Sequence, residues 1–288
     1  MDFKDRSPIL IAFGVILLLL GVAMAFLGPL EMYAMYLFST GGRFHYEGFG
    51  FGSFMFGNIA AQIVVYYLIA VVCMPLGYGN IMRRRWARTL SLTVVGFWLV
   101  AGIPFMVAFM FVLLASKDVT LPTVLIALVT LALSYAVVPV LLIRFYKSRD
   151  VRLTFESRHP RSPRLEDVPL PVLVVCAVFG LTIAVLHVLI LFNGVFPLFH
   201  TLIFEPHSLT LIALSALILV GLIWGLLRLR RWAWWGALVY WGYLTYSTIA
   251  ALSRYSLADL LARMKFAPLE MEALDGIPIH GAHLAVLA

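Results

Sequence analysis

The sequence predicts an all-α, polytopic integral membrane protein. It has seven complete transmembrane helices plus a partial eighth, arranged as two tandem parallel four-helix repeats. Three observations predict this. Of 288 residues, 63% are hydrophobic and 12% charged, with a mean hydropathy of +1.00; a soluble domain is nearer half apolar and a quarter charged. Seven apolar runs match the ~20 residues that cross a bilayer as a helix. Basic residues gather in alternate loops between those runs. This composition excludes a soluble globular enzyme, a disordered chain and a disulfide-stapled secreted domain. Cys73 and Cys176 lie inside apolar runs and read as small buried hydrophobes, with no metal-ligand spacing.

The first run, 9–28, follows Lys4 and Arg6. Ala23, Met24 and Ala25 look like a small-residue cleavage site, but the run is long for a signal peptide and reads as a retained helix. Residues 43–57 alternate Gly with Phe. Each Gly costs a helix about 1 kcal/mol, so this loop is expected to fold back on the membrane interface or cap the bundle. The next runs are 57–77, 89–115 and 121–143, with Pro104 and Pro139 inside the last two. These prolines are expected to shape packing, with neighbouring helices satisfying the freed backbone.

A polar, proline-bearing linker spans 146–168, and runs 171–193, 209–227 and 232–252 follow. Residues 256–266 read as an interfacial helix. Ser256 and Asp259 make a capping-box-like start, and Leu257, Leu260, Leu261 and Met264 form an apolar stripe. A last apolar segment begins near Ile277. Its twelve residues would rise only ~18 Å of a ~30 Å core, so it is expected to be interfacial, packed in the bundle, or the front of a further span.

Sixteen of the 21 basic residues fall on one side, and Arg43, Lys117, Arg254, Arg263 and Lys265 on the other. The richer side is therefore expected to be cytoplasmic, with the N-terminus. Few Asn, few Lys relative to Arg and no glycosylation sequon suit a bacterial cytoplasmic membrane. A shift of 146 residues aligns Gly79, Arg84, Arg85, Trp86, Ala87, Leu92 and Gly96 with Gly225, Arg230, Arg231, Trp232, Ala233, Leu238 and Gly242. Four spans return a chain to its starting side, so units 1–146 and 169–288 would be parallel.

Chemistry-bearing patterns are scarce. No carboxylate lies in a complete span, which counts against proton coupling. No phosphate loop, Ser-His-Asp set or CxxC motif is present. Three groups of residues stand out. Arg84, Arg85, Trp86, Arg230, Arg231 and Trp232 suit cytoplasmic anchors or contacts to anionic lipid. Tyr240, Tyr243 and Ser247 recur at helical spacing and form either a ligand-facing stripe or interhelical glue. His187, His280 and His283 fall at similar depth and form a candidate outer-leaflet polar cluster.

The leading functional expectation is a non-catalytic integral membrane subunit or scaffold. The first alternative is a passive carrier or flippase for a lipid or hydrophobic small molecule. The second is a redox subunit holding haem or quinone, although no cofactor is predicted. Expected partners are the bilayer, anionic lipids and other membrane protein subunits, with no nucleic acid.

Overall fold

The computed structural model describes residues 4–115, 120–158, 164–255, 257–264, 266 and 270–271. Helices dominate in the order α1 (Ser7–Phe38), α2 (Phe54–Ile81), α3 (Arg85–Ala115), α4 (Leu121–Ala132), α5 (Val138–Lys147), α6 (Arg149–Arg158), α7 (Leu170–Ile190), α8 (His207–Leu227), α9 (Arg231–Leu252) and α10 (Leu257–Met264). Six helices are long and apolar enough to cross a membrane: α1, α2, α3 over Arg85–Val107, the continuous Leu121–Lys147, α7 and α8. Their outward residues are apolar, as lipid requires; Phe26, Val71, Ile126 and Leu217 are 74%, 70%, 68% and 70% exposed. The protein is an all-α, multi-pass membrane protein.

The run 232–252, expected as a seventh span, is helical as α9, whose 22 residues rise about 33 Å, but it is not among the six helices apolar enough to cross a membrane. It is less apolar than the other six because Trp and Tyr crowd it. The last apolar segment, with His280 and His283, lies outside the described residues. Two elements were not expected. Helix α6 forms inside the polar linker. An antiparallel hairpin, β1 (Val195–Leu198) and β2 (Thr201–Phe204), pairs Val195 with Phe204 and Leu198 with Thr201. Helix α1 also runs past residue 28, through Pro29.

Packing divides the chain into two units that cut across individual helices. One comprises Met1–Glu31, Gln62–Ile103 and Val129–Val178. Here Ser7, Gly14, Gly21 and Gly28 lie buried every seventh residue along α1. A Cβ on Gly14 would stand 2.8 Å from the Gly77 carbonyl oxygen and 2.9 Å from the Ile81 nitrogen; one on Gly77 would meet the Leu18 nitrogen at 2.6 Å. Backbone therefore lies against backbone, the close approach that small residues permit between membrane helices.

Asn80 of α2 is fully buried. Its Nδ2 donates to the Leu76 carbonyl at 2.8 Å and to Ser91 Oγ of α3 at 3.1 Å. Its Oδ1 accepts from the Tyr146 hydroxyl of α5 at 3.0 Å. One side chain thus joins three helices. Nearby, Leu10, Ala87, Leu92, Tyr146, Val151 and Phe155 form a buried core. Arg6 ties the chain start to α6, its amide donating to Thr154 Oγ1 at 3.2 Å and its guanidinium meeting Asp150 at 3.4 Å. Asp5 accepts from the Ser7 amide and hydroxyl, and these bonds hold its carboxyl below the usual range.

Between α4 and α5, Leu133–Val137 form a π-helical turn. Pro139 explains it. Proline lacks an amide hydrogen, and its ring would strike the carbonyl four residues back, that of Tyr135; one wide turn makes the room. The same turn sets the Tyr135 ring against Gly102, where a Cβ would stand 2.6 Å from Cδ1, and edge-on to Trp98 at 6.5 Å.

The other unit comprises Met32–Ala61, Pro104–Leu128 and Phe179–Ala288. In the Gly-Phe loop, rings pack on one another: Phe38 on Phe44, Phe49 and Phe51 on Phe56, Phe54 on Phe192 and Phe266. The loop folds on itself as a non-helical cap, with positive φ at His45, Gly48 and Gly52. It delivers the start of α2, whose first amides are all satisfied. Phe54 and Met55 donate to the Glu270 carboxylate, each at 3.0 Å, and Phe56 donates to Ser53 Oγ at 3.2 Å. Asn193 Nδ2 donates to the carbonyls of Gly52 and Met264. Leu202, Ala251 and Leu260 close a small core beneath the hairpin.

Two substitutions test this account. Gly14→Val must force backbone apart and should cost ~1–3 kcal/mol, read as a lower thermal midpoint in detergent. Gly180→Ala, with nothing near its Cβ, should cost nothing; equal losses would refute the α1–α2 seam. Asn80→Leu should destabilise by ~1–3 kcal/mol, because the buried Tyr146 hydroxyl loses the Asn80 acceptor and Ser91 Oγ loses the Asn80 donor. Adding Tyr146→Phe should recover part of that loss. Strict additivity of the two changes would show that the pair is not coupled.

Candidate functional site

The Arg-Arg-Trp-Ala turns fold by one plan. At the end of α2, the Arg84 amide donates to the Gly79 carbonyl at 2.8 Å and the Arg83 amide to the Asn80 carbonyl at 3.1 Å. At the end of α8, the Arg230 amide donates to the Gly225 carbonyl at 2.9 Å and the Leu229 amide to the Leu226 carbonyl at 2.9 Å. This is the Schellman pattern, a six-to-one bond enclosing a five-to-two bond. The left-handed position falls on Arg83, φ 51°, and Leu229, φ 55°. In both turns the glycine makes room for the next helix. A Cβ on Gly79 would stand 2.6 Å from Ala87 and 2.8 Å from Trp86; on Gly225, 2.6 Å from Ala233 and 2.7 Å from Trp232.

Beyond this shared backbone the turns differ. Arg230, Arg231 and Trp232 are exposed, and among the described residues no carboxylate meets either arginine. At the first turn Arg84 is exposed, Trp86 packs against the core around Ala87, and Arg85 turns into an open-sided cavity of about 350 Å³.

The cavity is made from four segments. The first two turns of α3 supply Arg85, Arg88, Thr89 and Leu92. Helix α6 supplies Arg152 and Glu156, and a short 3-10 turn, Arg164–Asp167, supplies Glu166. The start of α7 supplies Leu170 and Leu173.

Arg85 forks onto Glu166, Nη2 to Oε2 at 2.6 Å and Nε to Oε1 at 3.3 Å, and its Nη2 lies 3.6 Å from Glu156. Arg152 Nε donates to Glu156 Oε1 at 2.8 Å. That bond, assisted by the charge of Arg85, holds the Glu156 carboxyl below the usual carboxylate range. Arg88 uses Nε to reach the Tyr146 carbonyl at 3.0 Å. Among the described residues, no carboxylate meets its Nη atoms. Three guanidiniums therefore face two carboxylates, and one positive charge is left over.

The other expected residues are elsewhere. Tyr240 of α9 is buried; its hydroxyl meets Ser215 Oγ of α8 at 2.5 Å, and its ring lies edge-on to Phe179. Ser247 is fully buried and accepts the Phe199 amide at 3.2 Å. Phe199 is the hairpin tip, held at φ 52° with its ring on Tyr243 at 5.5 Å. The stripe thus splits between a helix–helix tie and a dock for the hairpin. His187 is exposed, and its Nδ1 donates to the Ile183 carbonyl of its own helix at 2.7 Å. His280 and His283 lie outside the described residues. Among those residues no three His, Cys, Asp or Glu gather as metal ligands do.

Sequence reasoning singled out Arg85 but not Arg88, Arg152, Glu156 or Glu166. The Arg152–Glu156 spacing of four was a readable signal. Nothing local pairs Arg85 with a carboxylate 81 residues away. No family model, no curated protein sequence and no solved structure matches this chain.

Proposed function

We propose that this chain is a non-catalytic integral membrane subunit or scaffold of a membrane complex. The observation that supports this reading best is how the span-borne polar groups are used. Asn80, Ser91 and Tyr146 bond to one another's helices, as do Ser215 and Tyr240, while Ser247 docks a hairpin. Side chains spent on holding helices together favour a fixed framework over a carrier, which needs polar groups free to meet cargo in more than one state. Large apolar faces on the spans suit lipid or neighbouring subunits equally well.

The proposal includes α9 as a seventh span. Trp232, Trp234 and Trp235 crowd its first five residues, as at a headgroup belt, and Val239 beyond them is 70% exposed. It also includes two tandem four-helix units, an origin favoured by the twin Schellman turns. The basic asymmetry favours an N-terminus in the cytoplasm, and composition favours a bacterial inner membrane.

Native mass spectrometry of gently solubilised protein is the direct test. Stoichiometric protein partners are expected. A solitary chain that moves labelled lipid across reconstituted vesicles would replace this reading with the carrier. For orientation, His207→Cys should react with an impermeant thiol reagent on intact cells and Arg158→Cys should not. The reverse pattern would invert the topology.

A further inference from the structure

We propose that the cavity at the start of α3 is a binding site for one phosphate oxyanion, received by Arg88. Its most natural source is the headgroup of an anionic phospholipid. The inference does not depend on whether the chain is a subunit or a carrier.

Three independent features point to an anion. The first is charge. Arg85, Arg88 and Arg152 line the cavity with Glu156 and Glu166. The carboxylates are occupied, Glu166 by the Arg85 fork and Glu156 by Arg152. Arg88 is fixed through Nε on the Tyr146 carbonyl, so its Nη pair is oriented before any ligand arrives. A planar guanidinium held in this way matches phosphate oxygens two at a time. The single surplus charge matches a phosphodiester, which carries one negative charge.

The second feature is the helix ends. α3 begins at Arg85 and α7 at Leu170, and residues from the first two turns of both line the cavity. Each long helix therefore presents its positive end there, where anions are favoured.

The third feature is amphipathic lining. Leu92, Val168, Pro169, Leu170 and Leu173 form the apolar part of the wall. Leu92 and Leu173 belong to helices long and apolar enough to span the bilayer. Val168, Pro169 and Leu170 stand at the start of α7 beside the charges, and Leu92 and Leu173 lie one to two turns into their helices, so a headgroup on Arg88 would have apolar side chains next to it for the first part of an acyl chain. Free phosphate would satisfy the arginine and leave that wall unused.

The test uses the full chain, purified in mild detergent and stripped of lipid. It is titrated separately with phosphatidylglycerol, phosphatidylcholine and inorganic phosphate. Native mass spectrometry counts adducts, and the thermal midpoint reports binding. Wild-type protein should retain one phosphatidylglycerol in preference to phosphatidylcholine. Arg88→Gln should weaken that binding about tenfold or more, the scale of a lost charge-assisted contact.

Arg152→Glu reverses the cavity's net charge and should weaken binding likewise. Its side chain is 61% exposed, so this variant keeps a folded comparison if Arg88→Gln does not accumulate. Stabilisation by phosphate but not by phosphatidylglycerol, lost in the variants, would keep the anion site and assign it to a soluble phosphate. Equal binding of both anions by wild type and by every folded variant would overturn the site.

Discussion

The buried amide of Asn80 is the interaction on which this architecture most depends. Within lipid, helices gain little from the hydrophobic effect on meeting one another, because acyl chains are as apolar as leucine. Association rests on close packing and a few interhelical hydrogen bonds. Asn80 supplies two donors and an acceptor and uses all of them, on α2 itself, on α3 and on α5. Removing a partner would leave buried polar groups short of a hydrogen bond. The amide therefore fixes rotation and register of three helices at once, where packing alone tolerates sliding. The glycine seam between α1 and α2 complements it by setting distance, since its contacts are backbone to backbone.

The geometry of the cavity follows from that fixation. Tyr146 offers its hydroxyl to Asn80 and its carbonyl to Arg88. The same residue thus anchors the helix bundle and aims the guanidinium. Four residues after Gly79, the chain turns through Arg83 in the left-handed region, and α3 starts with Arg85 already facing α6 and the 3-10 turn. The second Schellman turn has the same backbone and the same Trp-on-glycine packing. Among the described residues it meets no acidic segment, so its arginines stay in solvent. One local motif yields an open-sided charged cavity in one place and a bare basic corner in the other. The difference lies in what α6 and Glu166 bring to the first.

The spans were legible because lipid imposes length and apolarity on each of them separately. Helix α10 was legible from its apolar stripe. What stayed hidden depended on distance along the chain or on exceptions to local rules. The first apolar run ends at residue 28, yet α1 continues through Pro29 to Phe38. The hairpin at 195–204 contains Pro197 and a non-glycine turn residue at positive φ, both poor strand and turn signals. It forms because Ser247 and Tyr243 hold its tip. The Ser7-Gly14-Gly21-Gly28 period was in plain view, and only its meaning as a packing seam needed the partner helix. Glu270 capping α2 across 216 residues could not have been read from the sequence.

The scarcity of polar residues makes each of them informative. The chain holds three asparagines. Asn80 locks three helices, and Asn193 pins the Gly-Phe loop to the end of α10. The hydroxyls of Ser215, Tyr240 and Ser247 are likewise committed to structure. Desolvating a charge is costlier than desolvating any of these. Arg88 is a half-buried guanidinium whose Nη pair meets no carboxylate among the described residues. Nε of Arg88 secures the side chain to α5 and leaves its terminal nitrogens for a ligand. In the proposed complex a phosphate supplies the counter-charge, and the apolar side chains beside the cavity meet the rest of the lipid.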